Sequence, residues 1–106
     1  MSYFRLDEIA SQERVPGCHA RFVHAEHMTL SYWNLDLDAQ LPPHAHPHEQ
    51  VTTVIEGTLE LAIDGQTQRL QPGSVAVIPP NATHAAHALT PCYVIDVFYP
   101  VREDYR

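Results

Sequence analysis

The chain has 106 residues, of which 44% are hydrophobic, and its 13 acidic side chains against six basic ones give a net charge of −7. This length and composition predict one globular domain with a single core and exclude an intrinsically disordered chain. The acidic charge argues against nucleic-acid or anionic-membrane partners, and the absence of lysine excludes Schiff-base chemistry and a Walker-type phosphate loop.

The chain carries no sign of export or membrane insertion. No stretch approaches the ~20 apolar residues that a membrane span requires. The first eight residues include an aspartate and a glutamate, where a signal peptide would be apolar. Cys18 and Cys92 have no metal-binding spacing. We expect two free thiols in a cytoplasmic protein, with a single disulfide as the alternative.

Short apolar runs separated by glycine and proline follow one another along most of the chain. Residues 1–19 are weakly patterned and are predicted to form a lead-in segment, and residues 20–106 to form the domain. In chain order, strands are predicted at Arg21–Ala25, His27–Asp38, Val51–Glu56, Thr58–Asp64, Thr67–Leu70, Ser74–Ile78, His84–Ala88 and Pro91–Tyr99.

Turn residues separate these strands. Asp64-Gly65 predicts a two-residue hairpin, because glycine accepts the positive φ that such a turn requires. Pro72-Gly73 predicts a second turn, and Pro79-Pro80-Asn81 ends the strand before it. No segment shows a sustained 3.6-residue period. Many short strands in one small domain indicate a closed or sandwiched antiparallel all-β fold.

A histidine-rich stretch interrupts the strands and reads His44-Ala-His46-Pro47-His48-Glu-Gln50. On a strand, His44 and His46 would share one face with side chains ~7 Å apart. Gln50 has the same parity but would lie ~20 Å from His44 on a straight strand, whereas metal–nitrogen bonds are ~2.1 Å. A shared ion therefore requires a bend, for which Pro47 is the candidate. His48 is then expected to turn away or to lie behind the ligands.

A wider spacing links this stretch to a second one: His44-x-His46-x3-Gln50-x6-Gly57, then fifteen residues, then Gly73-x5-Pro79-x4-His84. The joint pattern resembles the two motifs of the cupin superfamily, and the resemblance covers about residues 20–106. It implies an all-β, single-domain cupin, a jelly-roll-like barrel also called a double-stranded β-helix. It also implies a homodimer. By the family pattern one divalent metal ion (Ni, Zn, Mn or Fe) would be held by His44, His46, Gln50 and His84.

Three positions depart from the family pattern. Asp38 stands where a glycine is expected and Ala88 where an asparagine is expected, which affects the turns. Gln50 stands where the ligand is most often glutamate, which affects the chemistry. Three imidazoles and an amide are all neutral, so a divalent ion would keep nearly its whole charge and would favour a small carboxylate-bearing ligand. Open coordination positions would also admit water or dioxygen.

The C-terminal stretch, Tyr93-Val-Ile-Asp96-Val-Phe98-Tyr-Pro-Val-Arg102-Glu-Asp-Tyr105, is similar to the tail of the KdgF-type cupins of pectin and alginate breakdown. These proteins open the ring of 4,5-unsaturated monouronates. The resemblance implies that Asp96 is the acid/base, that Arg102 binds or polarises the substrate, and that Phe98 lines the pocket. The residues themselves add that Asp96 and Phe98 share parity. Apolar neighbours would bury Asp96 and raise its pKa.

Other interpretations stay open from the sequence. The histidine cluster could be a solvated loop with adventitious metal affinity, Asp96 a structural acid and Arg102 a surface charge. Trp33 is predicted to pack in the core, with a place in the pocket as the alternative. The alternative functions are an iron-dependent dioxygenase of the cupin type and a cupin that binds a small ligand without turnover.

Overall fold

The computed structural model describes residues 1–106 and consists of ten short strands. The strands are β1 Gln12–Val15, β2 Cys18–His24, β3 Thr29–Leu35, β4 Gln40–His44, β5 Glu49–Glu56, β6 Leu59–Ile63, β7 Gln66–Leu70, β8 Val75–Ile78, β9 His84–Ala88 and β10 Cys92–Tyr99. Two 3-10 turns, Leu6–Glu8 and Glu103–Tyr105, are the only helical elements. Neither is long enough or apolar enough to cross a membrane.

The strands form two antiparallel sheets. One has six strands in the order β1-β2-β3-β10-β5-β8, and the other has four in the order β4-β9-β6-β7. The consecutive strands β4 and β5 lie in different sheets, so the chain crosses from one sheet to the other between His44 and Glu49. The all-β, jelly-roll fold predicted from the sequence is confirmed.

Two strands lie outside the predicted set. β1 falls inside residues 1–19 and pairs with β2, so the six-stranded sheet begins at Gln12. β4 contains Pro42 and Pro43, which disfavour a central strand. β4 is an edge strand of its sheet. On the open side of an edge strand no neighbour needs a backbone N–H, so proline is tolerated there.

The predicted strand His27–Asp38 is too long at both ends. The observed strand β3 starts after a turn closed by a hydrogen bond from Ala25 N to Met28 O, 2.8 Å. It ends at Leu35, because Ala39 N donates to Asp36 O at 3.0 Å and Asp38 adopts a left-handed φ of 65°. The hairpin at Asp64-Gly65 is as predicted, with φ of 49° and 81° between paired strands β6 and β7.

Side chains alternate between the core and the outer surface along the central strands. On β10 the buried positions are Cys92, Val94, Asp96 and Phe98. On β5 they are Gln50, Thr52 and Val54. Because Asp96 pairs with Thr52 and Phe98 with Gln50, one end of this inner face is polar while the other end belongs to the apolar core.

Two features favour glycine at position 57, in the turn between β5 and β6: its backbone angle and the atoms that surround it. Its φ is 86°, a region that side chains rarely adopt. A Cβ here would overlap the carbonyl oxygen of Pro91 and press on the side chains of Thr90 and Cys92. Gly65 and Gly73 also have positive φ, 81° and 91°, but a Cβ would meet nothing within 4 Å there.

Gly57→Ala is therefore expected to cost more stability than the same change at either control. The left-handed backbone costs an alanine about 1–2 kcal/mol at each position, and the overlap at Gly57 adds about 1–3 kcal/mol. Urea unfolding of Gly57→Ala, Gly65→Ala and Gly73→Ala would measure the difference. Equal losses at the three positions would contradict the role of the Pro91 contact.

Candidate metal centre and cavity

The histidine-rich stretch lies where the chain crosses between the sheets. His44 ends β4 in the four-stranded sheet, and Gln50 lies on β5 in the six-stranded sheet. His46 lies in the connection, off any strand, so the expectation that His44 and His46 share a strand face is wrong. The bend expected between His46 and Gln50 is present. His84 begins β9 and is the register partner of His44, which brings the second motif to the first.

Three imidazole rings converge at this crossing. The ring centroid of His84 lies 4.1 Å from that of His44 and 4.9 Å from that of His46. One nitrogen from each ring lies within 4.8 Å of the other two. Two nitrogens on opposite sides of an ion with ~2.1 Å bonds are ~4.2 Å apart, so small side-chain rotations would bring all three onto one cation. These histidines could therefore bind a metal ion.

Backbone carbonyls fix the orientation of all three rings. In each ring, Nδ1 lies within hydrogen-bond distance of a carbonyl two residues away: His44 with Pro42 at 2.9 Å, His46 with His48 at 3.1 Å and His84 with Ala82 at 2.9 Å. An Nδ1–H donor of this kind leaves the Nε2 lone pair for a ligand, the usual arrangement behind metal-bound imidazoles. The Nε2 of His84 is buried without a hydrogen-bond partner, which suits a metal ligand. His48 contributes its carbonyl, not its ring, to the group.

Gln50 adds an amide oxygen beside this group. Its Oε1 lies 3.0 Å from the Nε2 of His46. The amide nitrogen donates to the Thr52 hydroxyl at 2.9 Å, and that hydroxyl donates to the carboxylate of Asp96 at 2.7 Å. The Thr52 hydroxyl, which gives its proton to Asp96, must accept from Gln50, so the amide oxygen is the end that faces His46.

The contact between His46 and Gln50 points to a cation. Burial, together with the charge of Arg102 and the ring of His84, lowers the pKa of His46 to about 4. The neutral ring has one N–H, which Nδ1 uses for the carbonyl of His48, so Nε2 turns a lone pair toward the amide oxygen. Two ligand atoms at right angles around an ion with ~2.1 Å bonds are ~3.0 Å apart, which is the observed separation.

Asp96 is a buried acid at the end of this hydrogen-bonded line. Asp96 is 7% exposed, and its side chain lies on the inner face of β10. Burial raises the pKa of Asp96 to about 6, and the hydrogen bonds from Thr52 and Gln50 limit the rise. Asp96 is therefore linked to the histidine group through the side chains of Thr52 and Gln50.

Phe98 and Arg102 lie on the same side of the barrel. Phe98 is buried, with its ring centroid 5.6 Å from that of His46. Arg102 is buried just beyond β10, where its backbone N–H donates to the Thr29 hydroxyl at 2.9 Å. The Arg102 guanidinium lies 4.8 Å from the Phe98 ring, and its Nη1 is buried without a partner. An interpretation of Arg102 as a surface charge is excluded.

One cavity between the sheets is lined by most of these side chains, although His46 is not among its lining residues. Its 16 lining residues, ten of them hydrophobic, include His44, His84, Gln50, Asp96, Phe98 and Arg102. The other lining residues include Trp33, for which a place in the pocket was the alternative prediction, and Thr52 and Tyr105, which were not among the predicted site residues. Thr52 has a sequence signal, since it shares the parity of Gln50 on β5. Tyr105 lies in the stretch that resembles the KdgF-type tail, but the sequence assigned it no role, and it reaches the cavity through the turn after the last strand.

Comparison with known proteins places this geometry in a family. Residues 31–98 match the family described as a cupin domain. KdgF from Halomonas sp. is 33% identical, with a TM-score of 0.93 over 100% of this chain and 99% of its own. An RmlC-like cupin from Shewanella frigidimarina is 26% identical, with a TM-score of 0.94 over 100% of this chain and 96% of its own. No curated protein matches the sequence.

A more distant structure shares the fold alone. A deletion mutant of oxalate decarboxylase from Bacillus subtilis is 19% identical, with a TM-score of 0.82 over 92% of this chain and 29% of its own. The family match spans both histidine motifs and all of β4 to β9. With a jelly-roll of two sheets and three convergent imidazoles at their crossing, the chain belongs to the cupin family, as a small member that resembles KdgF.

Proposed function

We propose that this cupin is a metal-dependent enzyme that opens the ring of 4,5-unsaturated monouronates. The observation that carries the proposal is the hydrogen-bonded line Gln50–Thr52–Asp96, which joins the histidine group to a buried carboxyl. The C-terminal resemblance to the KdgF-type cupins and the 33% identity to KdgF over the full chain support the same reaction.

One divalent ion would be held by the Nε2 atoms of His44, His46 and His84 and by the Oε1 of Gln50. A bound ion supplies Lewis acidity to the oxygens of a sugar acid. The four ligand groups are neutral, which suits an anionic ligand in a protein whose net charge is −7.

The chain's own residues would bind the substrate and move a proton. Arg102 offers the buried Nη1 donor to the uronate carboxylate, and Phe98 forms an apolar wall beside it. In the reaction the hydroxyl proton on C1 leaves, the bond from C1 to the ring oxygen breaks, C5 becomes a ketone and C4 gains a proton. The formula is unchanged, so no redox cofactor is required. Asp96, with a pKa of about 6, is suited to accept and return the proton near neutral pH.

Three expectations from the sequence stay predictions. They are that the chain forms a homodimer, that it works in the cytoplasm, and that neither nucleic acid nor a membrane is its partner.

His84→Ala is expected to lose metal binding, because it removes one of three imidazoles and the buried, unpartnered Nε2. Affinity for Zn²⁺ or Ni²⁺ should fall by at least about 100-fold. Elemental analysis of the purified protein and calorimetric titration with each ion would measure this.

His87→Ala is the matched control for the metal site. His87 lies on the same strand, β9, but outside the imidazole group, with its Nε2 3.4 Å from Asp38. It should bind one equivalent of metal as the wild type does. Equal binding by the two variants would show that the ion lies elsewhere.

Turnover tests the reaction. The metal-loaded protein should speed the loss of the enol-ether absorbance of an unsaturated monouronate, and Asp96→Asn should slow it by about 10²–10⁴-fold. Glu26→Gln removes a charge from an exposed loop, where the side chain is 88% exposed, and should leave the rate unchanged. A rate equal to that of buffer, with metal bound, would dismiss the proposal. Oxygen uptake with Fe²⁺ instead would favour the dioxygenase.

Asp96→Asn should also stabilise the metal-free protein at pH 8 but not at pH 4. Folding raises the pKa of Asp96 from 3.8 to about 6, so the folded state binds the proton more tightly than the unfolded state does. The resulting contribution to stability is fully present below pH 3.8 and is lost as the pH rises through 6. Asparagine avoids this loss, which is worth up to about 3 kcal/mol at pH 8. Urea unfolding with chelator at both pH values would measure it, with Glu26→Gln as control. The same gain at both pH values would contradict the burial of a charged Asp96.

A further inference from the structure

The Arg102 guanidinium is restrained by a carboxylate on one edge and by two nearby aromatic rings, all from residues that follow or lie on β10. Its Nε and Nη2 donate to the two carboxylate oxygens of Asp104 at 2.9 and 2.7 Å. Its Cζ lies 4.0 Å from the ring centroid of Tyr105 and 4.8 Å from that of Phe98. A planar group bound in this way has little freedom to rotate.

The restraint leaves one donor group for a ligand. Nη1 lies on the guanidinium edge opposite the Asp104 carboxylate, and it is buried without any partner in the protein. Arg102 lines the cavity, and its side chain is 7% exposed, whereas Asp104 is 57% exposed. Asp104 therefore binds the guanidinium from the solvent side, which leaves Nη1 for a ligand in the cavity.

We propose that Asp104 is a positioning residue that holds Arg102 by Nε and Nη2 so that Nη1 donates to the carboxylate of a ligand in the cavity. The choice of a uronate as that ligand rests on the proposed function. The hydrogen bond to Arg102 lowers the pKa of Asp104, so the carboxylate is charged at neutral pH and the pair stays formed. Without Asp104, the guanidinium would be free to rotate and to turn its donors toward water.

Glu103 is the matched control on the same 3-10 turn. Its carboxylate oxygens lie 3.4 Å from Nη1 of Arg106, and it makes no hydrogen bond to Arg102. Glu103→Gln and Asp104→Asn each remove one negative charge from the same turn. A difference between the two variants therefore reports the contact with Arg102 and not the charge of the segment.

Exchange of the Arg102 Nε proton tests the restraint without any substrate. In ¹⁵N-labelled, metal-free protein, the Nε–H signal of Arg102 is assigned by its loss in Arg102→Lys. We expect slow exchange in the wild type and in Glu103→Gln. Exchange should be at least about tenfold faster in Asp104→Asn, because a buried, charge-assisted hydrogen bond is lost.

Steady-state kinetics test what the restraint does for binding. With an unsaturated monouronate, Asp104→Asn should raise KM about tenfold while kcat changes less than about threefold, because the lost contact acts on bound substrate and transition state alike. Asp104→Glu should recover part of the loss, and Glu103→Gln should match the wild type. A general loss of structure would instead lower kcat and the melting temperature together.

The two proposals fail in distinguishable ways. If the wild type does not convert the monouronate, the proposed function fails. The affinity of the metal-loaded protein for glucuronate, measured by calorimetry, is then compared between the variants in place of KM. Weaker binding by Asp104→Asn, again by about tenfold, with faster Nε–H exchange then supports the positioning role. The role is overturned if Asp104→Asn matches Glu103→Gln in either measurement, or if the wild type binds no glucuronate.

Discussion

A hydrogen bond of 2.7 Å from Thr52 to the buried carboxyl of Asp96 sets the direction of the polar groups between the two sheets. Thr52, which donates to Asp96, accepts from the amide of Gln50, and Gln50 therefore presents its oxygen to His46. Buried polar groups are costly unless they are paired, so this line has one favourable direction. The mutual orientation of the acid and the candidate ligands follows from it.

The part of the cavity wall formed by Tyr105 depends on contacts between the two ends of the chain. The Tyr105 ring packs against Phe22 of β2, with ring centroids 4.5 Å apart. The guanidinium of Arg14, on β1, lies 5.0 Å from the Tyr105 ring, and that of Arg102 lies 4.0 Å from it. The N-terminal strands thus hold the C-terminal turn over the cavity, which links residues with no functional signal in the sequence to the binding of a ligand.

The departures from the family pattern divide into two kinds. Asp38 and Ala88 meet through their backbones, since Asp38 N donates to Ala88 O at 2.9 Å and Ala88 N donates to Ala39 O at 2.9 Å. Side chains at these positions can differ while the contact survives. Gln50 is different, because its amide changes the charge of the site. A carboxylate there would neutralise part of a cation's charge and would repel Asp96, whereas the amide does neither.

The sequence by itself determined the all-β fold and the two-residue hairpin at Asp64-Gly65, because turn chemistry is local. That His84 meets His44 and His46 was implied only by the resemblance to the two cupin motifs, since the motifs lie far apart along the chain. The sequence also required the bend before Gln50. It did not determine β4, whose prolines are tolerated only at a sheet edge, or the off-strand position of His46. The position of Tyr105 was decided by the tertiary structure alone, because it depends on how a C-terminal turn packs against Phe22 of β2, a contact between residues more than 80 positions apart that no local pattern encodes. Asp104 and Arg102 are only two positions apart, but the tertiary structure decides that their pairing leaves a buried Nη1 without a partner.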